Sequence, residues 1–359
     1  MSLPGKRQLA SLRLTSLGLG RDAGFAEPSD VVRHLLAMQA QDFPGAKWSV
    51  GMRLPGCTDA DVESALATGE IVRSWPMRGT LHLVAPEDLH WMLQISRRRQ
   101  ATSAAKRRAD QGVSDAMLDR AGQLAHDALV GGRVLRRDAL LAIFEEAGIP
   151  TTSQRGYNLL WNLAHNGLIV FGPVDGKHQT FALLGEWVPN PRALDGDEAL
   201  GEFAARYFAS HGPATDRDFA WWASLSLGEA RVGIALAGLD TLVVDGVTYY
   251  LRPGLEPARD SVLALPGFDE YMLGYQDRSI VVPAAFSERI VPGNNGVFKP
   301  TIVARTQVVG TWRGTEKRNE VSVATEPFTP MTASTIAGFG RAVKRYGAFL
   351  GRAVVVADA

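Results

Sequence analysis

Cysteine is nearly absent. Cys57 stands alone among 359 residues, which excludes an intramolecular disulfide and any metal site built from several thiolates. Long apolar runs are missing as well. No stretch approaches the ~20 consecutive apolar residues that a membrane span requires. The first dozen residues alternate charge with Leu and form no apolar core of a secretory signal. A cytoplasmic protein with no membrane partner is expected. Net charge is lacking too, with 38 basic side chains against 38 acidic ones. A neutral chain has no global field to steer it toward a polyanion, so nucleic-acid binding requires charge gathered on one surface. Several catalytic signatures are also missing. No phosphate-binding glycine loop (GxxxxGK[ST] or GxGxxG) follows a strand, the seven histidines contain no HExxH pair, and there is no GxSxG. Cys57 lies in a Gly/Thr/Asp-rich loop without an adjacent base. Neither a cofactor nor a metal is expected.

What is present is an ordinary globular balance, 46% hydrophobic and 21% charged, in a chain long enough for two or three packed units. Three stretches share one grammar of helices followed by a two-stranded ribbon. The middle stretch is clearest. Helical spacing marks residues 114–129, 136–147 and 153–166, and strands 168–171 and 179–184 flank a polar loop. Three helices and a hairpin describe a winged helix. The first stretch reads as helices at 6–17, 29–39 (Ser29-Asp30 as cap) and 58–67, then strands 71–75 and 80–84. A long helix, 86–109, leads into the middle stretch. The third stretch reads as helices 198–210, 216–223 and 228–237, with a hairpin (241–244, 247–251) turning on Asp245-Gly246. Residues 262–326 are β-rich, followed by a helix at 333–350 and a strand at 353–356. The expected fold is α+β. It has winged helices at 1–110, 111–190 and 191–261 and a β-rich C-terminal region at 262–359.

Winged helices commonly bind nucleic acid, although the fold alone does not establish function. Arg97, Arg98, Arg99, Lys106, Arg107 and Arg108 form a run without acids, read either as a basic patch or as a solvated helical face. Gln154, Arg155 and Asn158 lie early on the third helix of the middle module, where DNA contacts or plain polar surface are both open. The unusual segment is Met38-Gln39-Ala40-Gln41-Asp42-Phe43-Pro44. Two amides two apart diverge on a helix, so they converge only where the helix unwinds, and Pro44 predicts a stop close by. Local capping is the plain alternative for them.

The pair Gln39-Ala40-Gln41 and the later Arg78-Gly79-Thr80-Leu81-His82-Leu83 resemble the AlkZ/YcaQ-type family of winged-helix DNA glycosylases. So do Trp221-Trp222 after Gly212-Pro213, Leu265-Pro266-Gly267-Phe268-Asp269-Glu270-Tyr271, Gly296-Val297-Phe298-Lys299-Pro300 and Val309-Gly310-Thr311-Trp312-Arg313. These matches run in family order over most of the chain. The resemblance implies tandem winged helices around a DNA-sized channel and a Gln-aliphatic-Gln catalytic motif. Gln41, where the YcaQ branch has Asp, places the chain on the AlkZ side. It further implies release of N7-alkylated purines, including the interstrand crosslinks made by azinomycin B, in self-resistance or repair.

An N7-alkylguanine is already cationic and leaves without a general acid. What remains is to orient a water and to stabilise an oxocarbenium-like sugar, and amide carbonyls can do both. Gln39 and Gln41 are therefore the candidate catalytic residues, with Asp42 a competing polar group. A crosslinked guanine cannot be fully extruded, so a hairpin entering the minor groove is expected. Residues 291–302, with the turn signal Asn294-Asn295-Gly296, and the ribbon near Arg305 are candidates for it. Arg78 and His82 on the first wing are candidate phosphate contacts, a structural hydrogen bond being the alternative for His82. The expected partner is double-stranded DNA carrying alkylated bases, bound by a monomer. The competing reading is a non-catalytic winged-helix DNA-binding protein or regulator, and a winged-helix protein-interaction module is a third.

Overall fold

The computed structural model describes residues 5–20 and 23–356. The chain divides into two compact units, Glu63–Ala199 and the remainder, Met1–Val62 with Leu200–Ala359. Each unit gathers pieces of more than one of the four segments drawn from the sequence.

In residues 63–199, strands Val72–Met77 and Thr80–Val84 form an antiparallel hairpin, with Val72 opposite Val84 and Met77 opposite Thr80. Arg78 (φ 55°) and Gly79 (φ 68°) make its turn, both left-handed as a tight hairpin connection demands. Helix Pro86–Asp110 follows, opened by a proline in its first turn, where the missing N–H costs nothing. Helices Asp115–Leu129, Arg137–Glu146 and Arg155–His165 come next, and then strands Ile169–Phe171 and Thr180–Leu183. The first of these helices is capped by the Ser114 hydroxyl. The strand Val72–Met77 also pairs with Ile169–Phe171, through Arg73 and Phe171, so the two hairpins share one sheet. Trp75, Leu118, Phe144, Leu159, Trp161 and Phe181 meet in the apolar core.

In the other unit, helices Asp216–Ala223 and Leu227–Leu236 both open on capping boxes, Thr215 with Asp218 and Ser226 with Glu229. The hairpin Asp240–Val244 and Val247–Leu251 turns on Asp245 and Gly246, both at positive φ. A five-stranded sheet runs in the order Ala353–Val356, Glu320–Pro327, Gln307–Glu316, Thr301–Ala304, Val262–Leu265. Helix Ala333–Phe349 packs on it through Phe339 and Val343, against Ala264, Ile302, Trp312 and Val323. Among the described residues no helix is long and apolar enough to cross a membrane.

Four expectations need correction. The helix expected at 29–39 spans Pro28–Leu35, because Leu36 takes a left-handed φ of 66° and the chain re-emerges as strand Ala37–Gln39. Its cap is Glu27, whose N–H donates to the Asp30 carboxylate, and not the Ser29-Asp30 pair. Pro44 does not stop a helix but sits in the first turn of one, Phe43–Gly51, which the sequence reading missed. Finally, residues 291–300 are not a hairpin: a short 3-10 turn, Pro292–Asn294, leads into irregular chain, and strand pairing begins at Thr301.

Candidate active site

The Gln39-Ala40-Gln41 segment follows the helix break: Gln39 ends strand Ala37–Gln39, Ala40 leaves it, and the chain bends at Gln41 and Asp42 before helix Phe43–Gly51. The helical geometry that sends i and i+2 apart therefore does not govern the two glutamines. Ala40 is fully buried, Gln39 half-buried and Gln41 exposed. The Gln39 side-chain amide has no hydrogen-bond partner among the described residues. Asp42 has a different task. Its carboxylate accepts from the Gly45 N–H at 3.2 Å and caps helix Phe43–Gly51. A Cβ on Gly45 would lie 2.3 Å from the Asp42 carboxylate, so the cap needs glycine there. The Asp42 carboxylate thus ends the Gln segment structurally.

Behind this segment lies a buried polar network within the same unit, built on Asp269 and Glu270. Asp269 takes a two-pronged contact from Arg53, at 2.8 and 3.1 Å, and accepts from the Ser49 hydroxyl at 2.6 Å. Burial opposes charge on Asp269. The Arg53 guanidinium, the Ser49 hydroxyl and the Tyr271 N–H outweigh it and hold the carboxyl below its ordinary range. Glu270, 1% exposed, accepts from the Trp222 indole N–H at 2.9 Å and meets His211 Nε2 at 3.2 Å through Oε2. Its other oxygen faces the Gln39 backbone N–H at 3.5 Å. His211 stacks on Tyr207 at 4.9 Å, and the Tyr275 hydroxyl donates to the His211 carbonyl. Arg13 closes the set. It lies 3.6 Å over the Tyr275 ring and 3.8 Å from Asp218.

The structure therefore sets the Gln39 backbone beside Glu270, with Gln41 and Asp42 on the chain that follows. Sequence reasoning passed over Asp269 and Glu270 as catalytic candidates, though two adjacent acids flanked by Leu265, Pro266, Phe268 and Tyr271 already signal buried charge. The other expected contacts fall elsewhere. His82 is fully buried, with its ring nitrogens on the Thr80 carbonyl at 2.9 Å and the Arg78 guanidinium at 3.0 Å. Burial and the Arg78 cation hold its imidazole well below the ordinary histidine value. His82 is a structural group of the hairpin and offers nothing to a phosphate. Asn158 is likewise corrected. It is 1% exposed and bonded to the Asn162 amide at 2.6 Å, so it faces the core. Arg155 is half-buried and donates to the Gln111 carbonyl. Asn294, Asn295 and Arg305 are exposed. Arg305 borders a cleft of about 490 Å³ that Arg341 and Arg345 also line. The Cys57 thiol is pushed up to about 11 by burial and by Asp61 and Asp59, the wrong direction for a nucleophile. Among the described residues no cluster of three or more His, Cys, Asp or Glu is placed to hold a metal.

Comparison with known proteins gives one consistent answer. An interstrand DNA cross-link repair glycosylase of Streptomyces sahachiroi is 26% identical over 309 residues, 79% of this chain and 81% of that protein. The solved structure of the Streptomyces sahachiroi DNA glycosylase AlkZ superposes with a TM-score of 0.82 at 23% identity, covering 99% of this chain and 100% of the other. The family model for AlkZ-like DNA glycosylases matches residues 32–349, which contain both the glutamine segment and the acidic pair behind it, and the chain belongs to that family.

Proposed function

We propose that the protein hydrolyses the N-glycosidic bond of N7-alkylated purines in duplex DNA, bulky adducts and interstrand crosslinks included. Gln39 and Gln41 do the chemical work. Alkylation at N7 makes the base a good leaving group, so the barrier that remains belongs to the sugar cation and the attacking water. A carbonyl oxygen held near the sugar carbon lowers the first by its dipole, and a second orients the water. The observation that carries this reading is the helix break before the glutamines, which leaves Gln39 half-buried at a strand end and Gln41 exposed on the bend that follows, in a chain of a glycosylase family. The Asp42 carboxylate is engaged in its cap and is not the base.

In this reading the helix-and-ribbon stretches act as winged helices lining a DNA channel, and the protein works as a monomer in crosslink repair or self-resistance. Arg305, Asn294, Asn295 and the exposed Arg98, Arg99, Lys106 and Arg107 supply phosphate contacts, and Arg78 reaches phosphate only while holding His82. The test is single-turnover release of free base from duplexes bearing N7-methylguanine or an N7–N7 crosslink. The Gln39→Ala/Gln41→Ala double variant is expected to lose at least ~100-fold in rate while binding DNA normally. Unchanged release by that variant sinks the assignment. No release by the wild type, with tight salt-sensitive binding kept, favours the non-catalytic DNA-binding protein.

A further inference from the structure

We propose that Glu270 is a positioning residue for this reaction. Its carboxylate fixes the Gln39 peptide, and through it the direction of both glutamine amides. The inference rests on the assignment of Gln39 and Gln41 above.

The geometry of Glu270 is over-determined on every side but one. Its backbone opens helix Glu270–Leu273, capped by Asp269 through the Tyr271 N–H at 2.9 Å. Oε2 is held by Trp222 and His211. His211 is itself fixed, with Nδ1 2.8 Å from the Ser210 hydroxyl and the ring close against Gly274. A Cβ at Gly274 would stand 2.6 Å from the His211 ring, so any other residue would displace it. What these contacts leave over is Oε1, and it points at the Gln39 N–H, 3.5 Å away. That separation is long for a hydrogen bond and is the one adjustable member of the set. Burying a carboxylate is expensive, and removing its partners more so. Here the buried carboxyl group meets the last residue of a three-residue strand that has a helix break before it and a bend after it.

The chemistry of the acceptor matters. Two N–H donors, from Gln39 and from Trp222, approach different oxygens of one group. A carboxylate accepts both, whereas an amide has one acceptor oxygen and must present its NH2 to the other donor. Glu270→Gln therefore keeps the shape of the side chain and breaks one of the two hydrogen bonds. With Trp222 and His211 holding their side, the bond that breaks is the one to Gln39. Removing the indole donor as well, in Trp222→Phe/Glu270→Gln, frees the amide to turn its oxygen to Gln39 and its NH2 to His211 Nε2, the imidazole taking the tautomer whose Nδ1–H donates to the Ser210 hydroxyl.

The experiment compares wild type, Glu270→Gln, Trp222→Phe and the double variant in single-turnover base release and in DNA affinity, with thermal melts to confirm folding. Glu270→Gln is expected to slow release ~30-fold or more with DNA affinity kept within about twofold, since small misplacements of catalytic groups carry costs of that order. Trp222→Phe is expected to slow release less than Glu270→Gln does, because it leaves the Gln39 contact in place, and the double variant should recover most of the rate that Glu270→Gln loses. A purely structural role would give an additive loss and no rescue. Wild-type rate in Glu270→Gln, or a double variant no faster than Glu270→Gln, overturns the inference. If Glu270→Gln does not fold, Glu270→Asp decides the matter. It keeps both acceptors one methylene further back, and slowed release with affinity kept is expected, while wild-type release overturns the proposal. Failure of the glutamine assignment reads differently, as full release by the double-glutamine variant.

Discussion

The two units bury polar groups in different ways. In residues 63–199 they come in short local sets: His82 with Arg78 and Thr80, Asn158 with Asn162, and Asp88 with Trp91 and Arg192. The three sets share no member, and a separate apolar core does the packing of the unit. In the other unit the sets link up. Ser49 and Arg53 hold Asp269, its neighbour Glu270 holds Trp222 and His211, and His211 leads through Tyr275 to Arg13 and Asp218. Isolated buried polar groups need only be satisfied, whereas a connected set passes positional constraint from one member to the next. The connected set lies behind the glutamine segment, where geometry matters most.

The largest effect that tests this contrast is Asp269→Ala. It leaves the fully buried Arg53 guanidinium without its counter-charge and should cost ~3–5 kcal/mol in denaturant unfolding. Leu159→Ala, at a fully buried core position of the other unit, should cost ~2–5 kcal/mol by cavity formation. If the contrast is right, Asp269→Ala also depresses base release in whatever fraction remains folded, and Leu159→Ala leaves the rate alone. Equal effects on rate would erase the distinction.

Much of this was legible in sequence where local chemistry decides. The helix Asp216–Ala223, the Asp245-Gly246 turn and the terminal helix and strand lie where periodicity and turn residues put them. The glutamine pair was also visible as an anomaly. Its conformation was not, because the helix break depends on a left-handed Leu36, a position leucine takes only when tertiary packing compels it. The acidic pair was hidden for a similar reason. Its partners Arg53, His211 and Trp222 are 216, 59 and 48 residues away in sequence, and no local pattern announces such pairings.

A smaller effect sharpens the contrast by pH. His34, in the unit of the glutamines, is lowered to about 4 by burial, partly offset by its bond to the Ser16 carbonyl. His82, in the other unit, is held well below 6.5 by burial and the Arg78 cation. Both are neutral when folded and bind protons when unfolded as pH drops below 6.5. Their contribution is therefore present above 6.5 and lost as pH falls toward the folded values, by up to ~1.4 kcal/mol per unit for each group. Melting temperature should fall between pH 6.5 and 5, and His82→Asn should flatten part of that slope. A flat profile would contradict the burial argument.

The smallest expected effect is Asp42→Ala, ~1 kcal/mol for removal of a helix cap. Because this cap lies next to Gln41, its removal should slow base release more than the stability change alone would suggest. Release unchanged in a folded variant would mean that Gln41 does not depend on the helix that follows it.

The strand at Ala37–Gln39 also bears on how the proposed site can diversify. Side chains on a strand alternate, so the side that Gln39 presents is a matter of parity. Inserting one residue between Leu36 and Gln39 would exchange the inward and outward sides along the segment, whereas inserting two would restore them. Replacement in place carries no such penalty, since Gln41 is exposed and Gln39 half-buried, outside the apolar core. Chemistry at these positions can therefore be exchanged one side chain at a time while the chain beneath them keeps its register.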